Sequence, residues 1–120
     1  MKNTTLIIKT GKGEFEKVDV SDIKTIKSDG NYSLIDFLQE NKKIILCKSL
    51  KSTIEDFKLE NFVLIRRGLY VNFDIICKYK GGKKPKVILK NGEELLISRR
   101  RIKDIKDKTI NQEQTTARQE

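Results

Sequence analysis

The chemistry open to this chain rests on three groups of residues: Asn31-Tyr32, Arg66-Arg67 and Arg99-Arg100-Arg101. Each group stands where an apolar run gives way to a loop. Asn31 and Tyr32 follow the turn signal Ser28-Asp29-Gly30, Arg66 and Arg67 interrupt the apolar segment FVLIRRGLYVN just before Gly68, and Arg99–Arg101 follow a run that ends at Ile97. Loops that leave a rigid scaffold are where proteins usually display binding residues. An arginine fork takes two acceptors of a guanine edge in the major groove, or bridges phosphate oxygens. Singly, each arginine reads best as a solvated charge or a salt-bridge partner. As a set they point to a polyanion.

Charge supports the set. Residues 1–60 carry 11 Lys/Arg against 10 Asp/Glu, a net of +1, and residues 61–120 carry 15 against 7, a net of +8. The half that holds both arginine groups therefore holds nearly all the excess, as a surface facing nucleic acid or an anionic membrane would. Lys83, Lys84 and Lys103 lie in that half and suit contacts to phosphates. Neither helical segment joins a large apolar face to an all-basic polar face, which argues against lying on a membrane.

Enzyme chemistry finds little to work with. The 120 residues contain no histidine, the commonest general acid or base near neutral pH. No two carboxylates share an apolar setting that would push their pKa values apart. Gly11-Lys12-Gly13 is too short for a phosphate-cradling loop and no helix follows it. Cys47 and Cys77 lie far apart with no zinc-ligand spacing, so no metal or cofactor is expected and no small-molecule substrate is evident. The two read as buried thiols in a reducing cytosol, because free cysteine behaves as a small hydrophobe. The longest apolar run is four residues and MKNTTLIIK lacks the core of a signal peptide, so the expectation is a cytoplasmic protein.

The elements that must position these residues are mostly strands. Thr4–Lys9 and Glu14–Val20 form a hairpin across Gly11-Lys12-Gly13; Ile23–Lys27, Tyr32–Leu38 and Lys43–Cys47 follow as short strands with tight connections. Ser49 is a plausible N-cap for a helix to Phe57, with Leu50, Ile54 and Phe57 at helical spacing; its outward residues are of mixed sign, so it reads as packing. Phe62–Ile65, Leu69–Val71 and Asp74–Tyr79 continue the strands, and Gly81–Lys84 is a loop. Asn91-Gly92 predicts a type I′ hairpin turn pairing Val87–Leu89 with Glu94–Ile97. A basic helical segment starts at Ser98, with Ile102, Ile105 and Thr109 on one side. Residues 1–110 make one domain, and 111–120 read as a disordered polar tail. The phenylalanines read as mostly core-facing, which speaks against a base-stacking RNA binder.

In order, DIKTIKSDGNYSLIDF, SLKSTIEDF, FVLIRRGLYVNFDII and VILKNGEELLISRRRIKDI resemble the LytTR family of bacterial DNA-binding domains, over roughly Asp22 to Ile105. The resemblance implies a mainly β fold, an elongated arrangement of small antiparallel sheets with one or two short helices, in which loops enter successive major grooves of double-stranded DNA. It implies a bacterial transcriptional regulator, with two copies on repeated sites and DNA bending. Many members also carry a receiver or membrane region, for which the N-terminal hairpin of this chain leaves no room, so a stand-alone regulator is the expectation. Position by position it implies DNA contacts for Asn31, Tyr32, Arg67, Arg99 and Arg100, and makes Asn72 a turn or capping residue. Arg66 and Arg101 join the set by adjacency. The chain departs from the family pattern at Leu64, Arg66, Gly68 and Leu69, where arginine, histidine, serine and a bulky residue are usual. The alternative is a protein-interaction or anti-regulatory module that keeps the fold and has lost base readout.

Overall fold

The structure, a computed structural model, describes residues 5–112, with side chains to Lys108. Thr4, the expected start of the first strand, residues 113–120, most of the expected tail, and the side chain of Thr109 lie outside the described residues. Within them the order is β1 (Thr5–Gly11), β2 (Glu14–Asp19), β3 (Ile23–Asp29), β4 (Tyr32–Phe37), β5 (Lys43–Leu46), α1 (Leu50–Asp56), β6 (Phe62–Arg66), β7 (Leu69–Asn72), β8 (Ile76–Lys80), β9 (Lys86–Leu89), β10 (Glu94–Leu96) and α2 (Ile102–Gln112). Short 3-10 turns precede β3, β8 and α2. The expected helix from Ser98 thus begins as a 3-10 turn over Arg99–Arg101, and Asn111 and Gln112 extend α2.

The strands make three antiparallel sheets: β1-β2, a three-stranded β10-β9-β8 and a five-stranded β5-β4-β3-β7-β6. The molecule measures 56 × 32 × 25 Å, elongated as the family resemblance implies. Period-2 alternation sends side chains of the five-stranded sheet to two separate cores. Ile26, Ile35, Ile44, Leu46 and Phe62 pack under the β1–β2 hairpin and α1. Val63, Ile65, Leu69 and Val71 pack on the other side against Val87, Leu89 and Ile105. An unbroken apolar FVLI is what a strand covered on both faces requires.

Helix α1 forms as expected. The Ser49 hydroxyl accepts the Ser52 N–H at 3.1 Å, and Leu50, Ile54 and Phe57 rest on the first core. Beneath them the buried Thr53 hydroxyl lies 3.1 Å from Ser33 Oγ and 2.9 Å from the Ser49 carbonyl, while Ser33 Oγ donates to the Lys48 carbonyl at 2.9 Å. This hydroxyl chain seats the helix on the start of β4. Ser49→Ala is expected to cost about 1 kcal/mol in urea denaturation, the usual value of an N-cap.

Two local expectations need correction. The turn after β9 is not type I′: Asn91 does not take positive φ, the Gly92 N–H bonds the Leu89 carbonyl at 2.8 Å, and the Leu89 N–H bonds the Glu93 carbonyl at 2.8 Å. The loop is therefore the three-residue Lys90-Asn91-Gly92, with only Gly92, at φ 91°, in left-handed backbone. Cys47 and Cys77 are exposed free thiols, not buried ones. Cys47 continues the outward alternation of Lys43 and Ile45, and Cys77 is the extra residue of a bulge between Ile76 and Lys78. The phenylalanines are mostly core-facing as expected: Phe37 and Phe62 are buried and Phe57 and Phe73 pack against the cores, while Phe15 is exposed on the β1–β2 hairpin.

Candidate nucleic-acid interface

Strand register assembles the candidate residues. The β3–β4 turn is Gly30-Asn31, since Asp29 pairs with Tyr32, and the β6–β7 turn is Arg67-Gly68, since Arg66 pairs with Leu69. Lys27 of β3 lies opposite Leu69 of β7, so both turns emerge from the same end of the five-stranded sheet. They are neighbours there: the Ser28 N–H donates to the Gly68 carbonyl at 2.9 Å.

The second arginine group arrives by another path. The Ser98 N–H donates to the Ile65 carbonyl at 2.8 Å, and Arg66 Nη1 donates to the Leu96 carbonyl at 3.0 Å. The 3-10 turn Arg99–Arg101 thus starts beside the end of β6. Burial of Ile97 and Ile105 in the second core holds it there. The β8–β9 loop joins the same cluster, because the Ile97 N–H donates to the carbonyl of buried Pro85, next to Lys84. All the residues singled out from the sequence except Lys103, which lies in the first turn of α2, therefore sit on neighbouring turns or at the strand ends that flank them.

Their side chains are available. Among the described residues, Asn31, Arg67, Lys83, Lys84, Arg99, Arg100 and Lys103 are exposed and make no side-chain hydrogen bond or salt bridge. Tyr32 is 49% exposed, an aromatic ring left at the rim of the sheet. Arg101 is half-buried and pairs with Asp104 at 3.4 Å. Arg66 is exposed but spends a donor on Leu96. Two further lysines that sequence reading passed over, Lys27 in the turn-ward half of β3 and Lys80 at the end of β8, stand near this cluster; IKTIK does not alternate strictly, so no local pattern marks Lys27 as outward.

Some charges elsewhere are paired within the fold. Lys24 meets Glu93 at 2.9 Å, and this hydrogen bond holds the Glu93 carboxyl below the ordinary glutamate range. Lys86 meets Glu94 at 2.7 Å and lowers that carboxyl in the same way. Lys48 pairs with Asp56, and Lys42 with Glu16. Charges that are paired add little to a long-range field. Exposed lysines on other surfaces, among them Lys12, Lys51 and Lys90, are unpaired as well, so the cluster is set apart by the adjacency of its cations and not by pairing alone.

The model of the LytTr DNA-binding domain matches residues 13–109. The chain belongs to the LytTR family. Its LytTR domain has double-stranded DNA as its partner class, and no enzyme activity defines the family. Among solved structures, the LytTr DNA-binding domain of a putative methyl-accepting/DNA response regulator from Bacillus cereus is similar in fold, with a TM-score of 0.66 at 15% identity, covering 89% of this chain and 96% of that one. No curated protein matches the sequence. No helix among the described residues of this LytTR domain is long and apolar enough to cross a membrane, and no group of His, Cys, Asp and Glu among them could hold a metal ion.

Proposed function

We propose that this cluster of the LytTR domain reads duplex DNA sequence-specifically, with loop side chains entering the major groove, and that the protein is a cytoplasmic regulator of bacterial transcription. The observation that carries the reading is the convergence of unpaired Arg67, Arg99 and Arg100 with Asn31 and Tyr32 on neighbouring turns. A guanidinium with all its donors free can take both acceptors of a guanine edge. Asn31 has the amide that suits an adenine edge, and Tyr32 offers an apolar ring with a hydroxyl tip. Lys83, Lys84 and Lys103 flank the arginines and contact phosphates, which sets orientation without sequence information. Arg101, shared with Asp104, contributes charge more than readout. Helix α1 stays out of the groove, since its apolar face is committed to the first core. Two copies on repeated sites extend the footprint of so small a reading surface.

Selection of bound duplexes from a random pool tests the reading. A recovered consensus supports it; retention with no enriched sequence, or no retention, favours the interaction-module alternative. On the consensus site, Lys83→Ala is expected to weaken specific and scrambled duplexes alike and to reduce the slope of log K against log salt by about 1, as the loss of one phosphate contact does.

A further inference from the structure

Arg66 differs from its neighbour in one respect: its guanidinium is already engaged. It ends β6, and Nη1 donates at 3.0 Å to the carbonyl of Leu96, the last residue of β10. β10 is an edge strand of its sheet and pairs only with β9, so that carbonyl lies where the sheet supplies no further strand. One residue earlier in β6, the Ile65 carbonyl accepts the Ser98 N–H at 2.8 Å. The side-chain bond and the main-chain bond bracket Ile97, whose side chain is buried in the second core. Two adjacent points on β6 thereby fix two points on the strand that leads into Arg99.

The other side of the same turn is equally constrained. Gly68, at φ 77°, carries its carbonyl to the Ser28 N–H, and a Cβ placed on it would come within 2.7 Å of Ser28 Oγ. Glycine is required there both by the backbone and by the closeness of β3. The short turn is held against β3 by Gly68 and against β10 by Arg66. Only Arg67, at its tip, is left without a partner among the described residues.

We infer that Arg66 is a positioning residue, whose hydrogen bond to the Leu96 carbonyl sets the Arg67 turn and the Arg99–Arg101 turn at a fixed separation, and that it does not itself read bases. The inference rests on the DNA-binding reading for its consequence but not for its geometry. A charge-assisted bond from one rigid strand to another holds two turns in register where a bond between two loops would not. Loss of the clamp lets the Arg99–Arg101 turn move relative to Arg67, and discrimination suffers at the base pairs of both turns.

The test uses Arg66→Met and Arg66→Lys in the full chain, since the exposed side chain leaves both variants folded. In the DNA-free protein, Arg66→Met is expected to speed amide hydrogen exchange at Ile97 and Ser98 by about tenfold, the scale of one hydrogen bond, with the remaining strands unchanged. On the selected duplex the ratio of specific to scrambled binding falls by a similar factor, spread over the base pairs of both turns, while the salt slope keeps its wild-type value. Arg66→Lys, which retains a long stem and a donor, restores part of both. Unchanged exchange at Ile97 and Ser98 overturns the clamp. A salt slope reduced by about 1 reassigns Arg66 to a phosphate, and a loss confined to one base pair reassigns it to a base. If the wild-type protein binds no duplex, the functional reading fails and the exchange measurement alone decides the clamp.

Discussion

Replacing Arg67 and Arg100 together with alanine is expected to erase most sequence discrimination while leaving the folded protein intact. Each arginine stands exposed on a turn with no salt bridge or side-chain hydrogen bond among the described residues, so truncation removes no internal contact. Stability should change by less than about 0.5 kcal/mol per site, as for ordinary surface substitutions. On the specific duplex, a bidentate arginine is worth roughly 1–3 kcal/mol of discrimination against the wrong base. The two sites lie on separate turns, and additive losses give a decrease of roughly 30-fold to 10⁴-fold in specific affinity. Scrambled duplex should lose far less, because Lys83, Lys84 and Lys103 remain. Competition mobility shifts with selected and scrambled duplexes at several salt concentrations measure both quantities. Equal binding of wild type and the double variant would refute the readout assignment.

The second large effect concerns the scaffold. Asn72, 1% exposed at the end of β7, donates to the Ile23 carbonyl at 3.0 Å and the Val20 carbonyl at 3.4 Å, and accepts the Asp74 N–H at 3.0 Å. It therefore caps the 3-10 turn before β8 and also ties the start of β3 to the end of β7. Val20 packs on the first core and Phe73 on the second, so this one amide links the chain segments serving both. Asn72→Ala leaves the Ile23 and Val20 carbonyls and the Asp74 N–H without these partners at a buried position. Intramolecular hydrogen bonds contribute about 0.5–1.5 kcal/mol each, and buried groups left unsatisfied cost more, so the expected loss is roughly 2–4 kcal/mol. Urea denaturation of the DNA-free protein reads it directly, and a loss below about 1 kcal/mol would show that the amide is not the link described. The capping role implied for Asn72 by the family resemblance is thus seen in its bond to Asp74, with the cross-strand bonds added to it.

How much of this was legible in the sequence depends on the range of the interaction. The hairpins and α1 announce themselves locally, through alternation, glycine turns and the cap at Ser49. The run FVLI reads as a strand, yet which of its residues faces which core depends on the pairing of β6 and β7 with β3, and Lys27 opposite Leu69 is a long-range match no local pattern encodes. The same pairing brings Asn31 beside Arg67. Residue types therefore nominated the site, and register assembled it. Burial inferred from residue type failed at the cysteines: Cys47 follows the outward alternation of Lys43 and Ile45, and a bulge at Cys77 disturbs the alternation there. The turn after β9 was found from Asn91-Gly92 but was one residue longer, since that dipeptide can close either kind of hairpin. For Arg66, nothing in the sequence distinguishes a guanidinium facing outward from one bonded to the carbonyl of Leu96.

The tips of the turns have a consequence for how such a protein diversifies. Gly68, Ser28, Ile65 and Ser98 hold the turns mostly through main-chain bonds, and these bonds do not depend on what side chain occupies position 31, 67, 99 or 100. Under the proposed reading, those positions can be rewritten one at a time without recasting the frame that carries them. Relatives sharing this backbone could then adopt new target sequences through single substitutions, each tolerated by the fold before it is selected for what it recognises.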